Sequence, residues 1–206
     1  MEARIMPEVI IHGFETSNNI KVRIALGFKE IPYTFKTIDP GDREEILRLS
    51  GQRLTPILVH GDRVLFDSAA ILRYLEANFH GRPPLFGTSL IEQWAIEDLE
   101  LFARHTLAAP MMKLVHHRVS GGVIDDPMQV RCAAAFMEAA GALKKKLAGR
   151  RWLVGESMSA ADVTAAAVMY RIRQAKLFEP PPGMEHVQEW EDRVIAFDRH
   201  LQRPGK

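Results

Sequence analysis

The sequence predicts an α/β domain built on a mixed sheet, followed by an all-α domain. Three observations carry this prediction. Strand-like and helix-like stretches alternate through about the first 80 residues. Within them Gly61-Asp62 joins two short apolar runs, the composition of a tight hairpin. Beyond residue 84 strand signals vanish, while helical periodicity persists to the C-terminal end.

Val9-Ile10-Ile11 is a short apolar, β-branched run closing at Gly13, which suits a buried strand. From Asn19 to Lys29 apolar residues fall at Ile20, Ile24 and Leu26 to Phe28 with basic residues between, which suits a helix. Tyr33 to Ile38 reads as a second strand, closed by the turn signal Asp39-Pro40-Gly41, and Asp42 to Leu49 as a short helix. Pro56 to His60 and Val64 to Phe66 are the hairpin strands, and Ser68 to Phe79 is a helix with Ile71, Leu72 and Leu75 on one face. The order is βαβαββα. A strand-helix-strand crossover favours parallel pairing and the hairpin forces an antiparallel pair, so the sheet is mixed, the layout of a thioredoxin-like domain.

His80-Gly81-Arg82-Pro83-Pro84 breaks regular structure. The expected division is residues 1–82 for the first domain, 83–88 for a linker and 89–206 for a helical domain. In the latter, Ser89 to Val119 has apolar positions at Trp94, Leu101, Ala108, Met112, Val115 and Val119, with Pro110 expected to kink the run. Pro127 to Ala148 repeats the period through Val130, Ala133, Met137, Ala140, Leu143 and Leu147. Helices over Ala160 to Lys176 and Met184 to His200 complete it.

With 206 residues, 47% apolar and 26% charged, the composition is that of a soluble globular protein. A net charge of +1 gives no reason to expect nucleic acid, and Lys144-Lys145-Lys146 reads as the solvated C-terminal end of a helix. Cys132 is the single cysteine, so an intramolecular disulfide framework is excluded, and in mid-helix it reads as a packing residue. No secretory leader pattern and no apolar run of about 20 residues is present. The expectation is a cytoplasmic protein that touches neither membrane nor nucleic acid.

Thr16-Ser17-Asn18 sits where the first strand gives way to the first helix. Such residues cap helices, and Asn19 could do so equally. The same place also stabilises anions, because a helix N-terminus offers free N–H groups and a positive partial charge. A thiol titrates near ~8.5, and lowering it by two units takes roughly 2.7 kcal/mol. One hydrogen bond to a charged acceptor supplies about 1.5–3 kcal/mol and the helix dipole about 0.3–1, so one hydroxyl plus the helix suffices without a general base. Thr55-Pro56 reads as a strand-start proline or as a cis bond that turns the Thr55 backbone toward a bound peptide. At Asp67-Ser68, Ser68 is a candidate N-cap, and the pair also suits the carboxylate and ammonium of a γ-glutamyl group. Ser159 to Asp162 reads as a capping box flanked by Met158 and Val163.

Taken together these residues resemble a cytosolic glutathione transferase over nearly the whole chain. Lys21 to Leu26 with Ile31-Pro32-Tyr33 resembles the family's first helix and second strand. Thr55-Pro56 matches its cis-proline position, Asp67-Ser68 its glutathione motif, and Trp152 to Gly155 with Ser159 to Asp162 the turn and capping box of its helical domain. The resemblance implies glutathione as co-substrate with no other cofactor and no metal. It implies catalysis by Thr16, Ser17 or Asn18 and glutathione binding by Thr55, Pro56, Asp67 and Ser68. It also implies a homodimer and a role in detoxification. Thr16-x-Asn18 is similar to the bacterial nu class, in which that pair contacts the sulfur and disulfide reduction is favoured over conjugation. Ser17 departs from it, standing where that class commonly has proline. An electrophile pocket is expected at Phe14, Met111, Met112 and His116, although methionine at helical spacing equally marks a core. His116-His117 point about 100° apart on a helix and make no metal site. Conjugation to a hydrophobic electrophile leads. Glutathione-dependent disulfide or peroxide reduction, and a non-catalytic glutathione- or partner-binding module, stand as alternatives.

Overall fold

The computed structural model of the chain describes residues 7–201; the outer ends of the expected domains, 1–6 and 202–206, lie outside them. The described residues form two compact units. One comprises 7–85 with 196–201, and the other is Phe86–Ile195.

The first unit follows the expected order: β1 (Val9–Gly13), α1 (Ser17–Phe28), β2 (Tyr33–Thr37), α2 (Glu44–Ser50), β3 (Ile57–His60), β4 (Arg63–Phe66) and α3 (Ser68–Asn78). The sheet order is β2-β1-β3-β4. β1 pairs with β2 in parallel, Val9 opposite Tyr33, while β1–β3 and β3–β4 are antiparallel, with Ile57 opposite His12 and Phe66 respectively. The sheet is therefore mixed and thioredoxin-like. Gly61 sits at φ 62° in the hairpin turn, a conformation open to glycine at no steric cost. α1 packs beside α3, and on α2 the buried Ile46 joins Ile38 and Ile57 in a small apolar cluster.

α1 begins two residues earlier than its apolar period suggests, because Thr16 rather than Asn19 is its N-cap. It is buried along most of its length, including the whole of Arg23. The reason lies at the other end of the chain. Arg23 Nε lies 2.9 and 3.1 Å from the two carboxylate oxygens of Asp198, itself fully buried, and Nη1 lies 2.9 Å from Glu15. The guanidinium stands over the Phe35 ring at 4.7 Å. Burial works against the Arg23 charge, and Asp198 and Glu15 more than restore it. Phe197 packs edge-on to Phe28 at 5.3 Å. A Cβ on Gly27 would come within 1.8 Å of the Phe197 carbonyl oxygen, so only glycine admits this segment. Residues 196–201 thus group with the first unit.

The second unit is all helical: α4 (Leu90–Phe102), a π-helical segment (Ala103–Leu107), α5 (Ala109–Val119), α6 (Asp126–Leu147), α7 (Ala160–Gln174) and α8 (Glu185–Ile195). The run expected to kink at Pro110 instead breaks into three pieces. Pro110 falls in the first turn of α5, where its missing N–H costs nothing. The period in this run is right but its phase is not. Trp94, Leu101, Val115 and Val119 are exposed, while Ile96, Leu99, Leu107, Met111 and Leu114 form the core face. In α6 the expected Ala140, Leu143 and Leu147 are inside, joined by Cys132 and Phe136, while Val130 and Met137 are outside. These helices carry apolar residues on two faces, so periodicity alone does not choose between them.

Candidate functional site

β1 ends at Gly13, and Thr16 caps α1 with its hydroxyl. Thr16 Oγ1 accepts from the Asn19 backbone N–H at 3.3 Å and from Asn19 Nδ2 at 2.8 Å. Asn19 Nδ2 also donates to Thr55 Oγ1 at 2.9 Å, so one fully buried amide ties the start of α1 to the residue before β3. The Thr55-Pro56 bond is cis. A Cβ on Gly13 would fall 1.7 Å from Asn19 Oδ1, so glycine there makes room for the amide.

A hydroxyl has one proton and two lone pairs. In Thr16 both lone pairs face Asn19 donors, which leaves the proton to be donated outward. The first turn of α1 adds the backbone N–H groups of Ser17 and Asn18, which have no intrahelical acceptor. The Ser17 side chain is half-buried and that of Asn18 exposed.

α3 begins beside this turn. Ser68 Oγ donates to Asn18 Oδ1 at 3.2 Å, which joins the two helix starts directly. Ser68 is buried as the first residue of α3 and is not its cap, a correction to the sequence expectation. Asp67 caps instead, at φ 68°, accepting from Ala69 and Ala70 N–H at 2.9 and 3.0 Å through Oδ1 alone. Thr16, Ser17, Asn18, Thr55, Pro56, Asp67 and Ser68 therefore all lie in the first unit, on two neighbouring helix starts and the turn before β3. Asn19, the hub of these contacts, reads from the sequence only as an alternative cap. A poor helix former in the first turn of an apolar helix, with a glycine six residues before it, is the signal that could have found it.

The expected electrophile residues belong to both units. Phe14 belongs to the first unit, half-buried under the Arg43 guanidinium at 4.9 Å. Met111 is 4% exposed and is a core residue of the second unit. Met112 and His116 line one open groove of about 650 Å³ there, with Arg104, Lys113 and His117. Among the described residues no group of histidine, cysteine or carboxylate side chains could hold a metal ion, and no helix is long and apolar enough to cross a membrane.

Comparisons with known proteins bear on both units. Residues 11–83 match the family model for the glutathione S-transferase N-terminal domain and residues 103–198 that for the C-terminal domain. The chain is 26% identical over 208 residues to glutathione S-transferase 3 of Zea mays, covering 93% of this chain and 90% of that protein. It is 28% identical over 167 residues to elongation factor 1-gamma 2 of Oryza sativa subsp. japonica, covering 79% of this chain but only 40% of that longer protein. Among solved structures, a maleylacetoacetate isomerase from Methylobacterium extorquens AM1 with bound malonate and GSH superposes at a TM-score of 0.75. The identity is 22%, covering 95% of this chain and 98% of that one, and this likeness speaks for the fold.

Proposed function

This chain belongs to the glutathione S-transferase family, and on that premise we propose that its first unit binds glutathione and ionises the thiol for attack on a small hydrophobic electrophile. One observation carries the reading: the Thr16 hydroxyl accepts twice from Asn19, so its proton is free for an anion at the start of α1. A thiolate placed there receives one charge-assisted bond from Thr16 and sits at the positive end of the helix. Together these are worth about 2–4 kcal/mol, enough to lower a thiol by roughly two units. The thiol proton leaves to solvent. The sulfur lone pair then forms the bond to the electrophilic carbon, and the electrons it displaces leave with the departing group or enter an adjacent π system.

The rest of glutathione fits the neighbouring groups. The start of α3 receives the γ-glutamyl carboxylate at the Ser68 backbone N–H, since the Ser68 hydroxyl donates to Asn18 and the next two N–H groups to Asp67. Asp67 spends Oδ1 on its cap and keeps Oδ2 for the ammonium. The cysteinyl backbone lies along Thr55, before β3. The solved isomerase of this fold holds GSH together with malonate, which supports a bound tripeptide here. A homodimer accounts for Leu90, Ile91, Trp94 and Leu101, four exposed apolar residues spaced along α4. A cytoplasmic setting supplies the glutathione.

The elongation-factor relatives favour a second reading, a glutathione- or partner-binding module without turnover. Calorimetry near pH 7 on the wild type and on Asp67→Ala/Ser68→Ala tests the first. Binding that collapses in the double variant, with turnover of an electrophile panel by the wild type, is the expected result. Absence of binding at millimolar glutathione overturns the proposal, and binding without turnover of any electrophile or disulfide favours the module.

A further inference from the structure

We propose that the second unit holds a separate small-molecule site, a cavity between α6, α7 and α8 that takes a hydrophobic primary amine with its ammonium on Glu191. The cavity measures about 430 Å³, the size of ordinary ligand pockets. Its walls are Phe136, Met169, Ile172, Phe178, Met184 and Val187, each at most 8% exposed, and Phe136 and Phe178 stack at 5.1 Å. Lys144 Nζ donates to the Pro182 carbonyl at 2.9 Å and so ties the proline-rich segment ahead of α8 to α6. The walls are thus formed before any ligand arrives.

One polar side chain in this apolar lining is buried. Glu191 is 2% exposed, and both of its hydrogen bonds, from Arg173 Nε at 2.8 Å and Nη2 at 2.5 Å, are received by Oε1. Oε2 accepts none among the described residues, so its acceptor capacity is open to a ligand. Charge selects the ligand class. Arg173 is shared with Asp192 at 2.7 Å, so one guanidinium answers two carboxylates, Glu191 and Asp192. That triad is one positive charge short, and an ammonium supplies both the charge and a donor to Oε2. The cavity lies wholly within the second unit and shares no residue with the α1 and α3 helix starts, so the inference is independent of the transferase reading.

Calorimetry on the full chain, without glutathione, with 1-naphthylmethylamine as probe and 1-naphthaleneacetate as the anionic control, tests the assignment. The expected result is saturable one-to-one binding of the amine, with the acid weaker by at least about tenfold. Glu191→Gln weakens amine binding by a similar factor, and Met169→Trp, which fills the cavity, abolishes it with circular dichroism retained. No saturation at millimolar amine, equal binding of the acid, or an unchanged affinity in a folded Glu191→Gln protein overturns the proposal. The amine-against-acid comparison on the wild type decides the matter even if both variants fail to fold.

Discussion

The start of α1 and the start of α7 use the same polar vocabulary to opposite ends. At α7, Ser159 and Asp162 form a capping box, and the fully buried Asp162 carboxylate accepts four hydrogen bonds. They come from Ser159 N–H at 2.9 Å, Ser159 Oγ at 2.8 Å, Leu153 N–H at 2.8 Å and Trp190 Nε1 at 2.9 Å. Every donor is turned inward and answered, so nothing remains for a ligand. At α1 the acceptors are turned inward, toward Asn19, while the Thr16 proton and two backbone N–H groups are left over. Cap residues of similar chemistry are thus closed or open to a ligand according to which half of their hydrogen-bonding capacity the fold consumes.

The sharpest way to break this contrast is Asp162→Ala. It strands four donors in the interior, and the expected loss is about 3–5 kcal/mol of stability in urea unfolding, with glutathione affinity of the protein that remains folded unchanged. A much smaller loss would mean the α7 cap is not the closed structural device described.

Glu191 sharpens the comparison from within the same unit. Burial raises the pKa of both carboxyls, Asp162 and Glu191, in spite of their hydrogen bonds, and at Glu191 it prevails over Arg173 and raises the pKa from 4.5 to about 7, with Asp192 adding repulsion. With the folded value above the unfolded one, the folded state binds the extra proton between them. Stability is therefore full below about pH 4.5 and falls as pH rises through about 7, by roughly 3 kcal/mol at most. Urea midpoints measured between pH 4.5 and 8 should show this decline, and Glu191→Gln should flatten it.

Gly13→Ala probes the α1 side. The new methyl collides with the Asn19 amide, so the Thr16–Asn19–Thr55 links shift. The expected stability cost is about 1–3 kcal/mol by urea unfolding, with a loss of glutathione turnover that stabilising additives do not restore. Restored turnover would remove Asn19 from the site.

Much of this was legible in the sequence, for reasons that differ by region. The first unit announces itself because Gly61-Asp62, Asp39-Pro40-Gly41 and the β-branched run at Val9 are local signals, and local signals fix element order. The cap at Ser159 to Asp162 is local as well. What escaped is long-range. Residues 196–201 join the first unit through Arg23 and Gly27, some 170 positions earlier, and no periodicity encodes that pairing. Asn19 reaches Thr55 across 36 positions. The phase of α4 to α6 was also hidden, because Trp94 and Val130 are as apolar as Ile96 and Phe136, and only packing tells the outer stripe from the inner one. At α3, Asp67 and Ser68 are both good caps, and the backbone at φ 68° selects Asp67.

The central claim, that the spare donor capacity of α1 serves a thiolate, is tested most directly by the thiolate absorbance of glutathione bound to the wild type, Thr16→Ser and Thr16→Val, titrated against pH. The predicted result is a bound thiol about two units below the free value of ~8.5 in the wild type and in Thr16→Ser, returning most of the way in Thr16→Val. Bound glutathione that titrates like free glutathione in the wild type, or a lowered value that survives Thr16→Val unchanged, would contradict it.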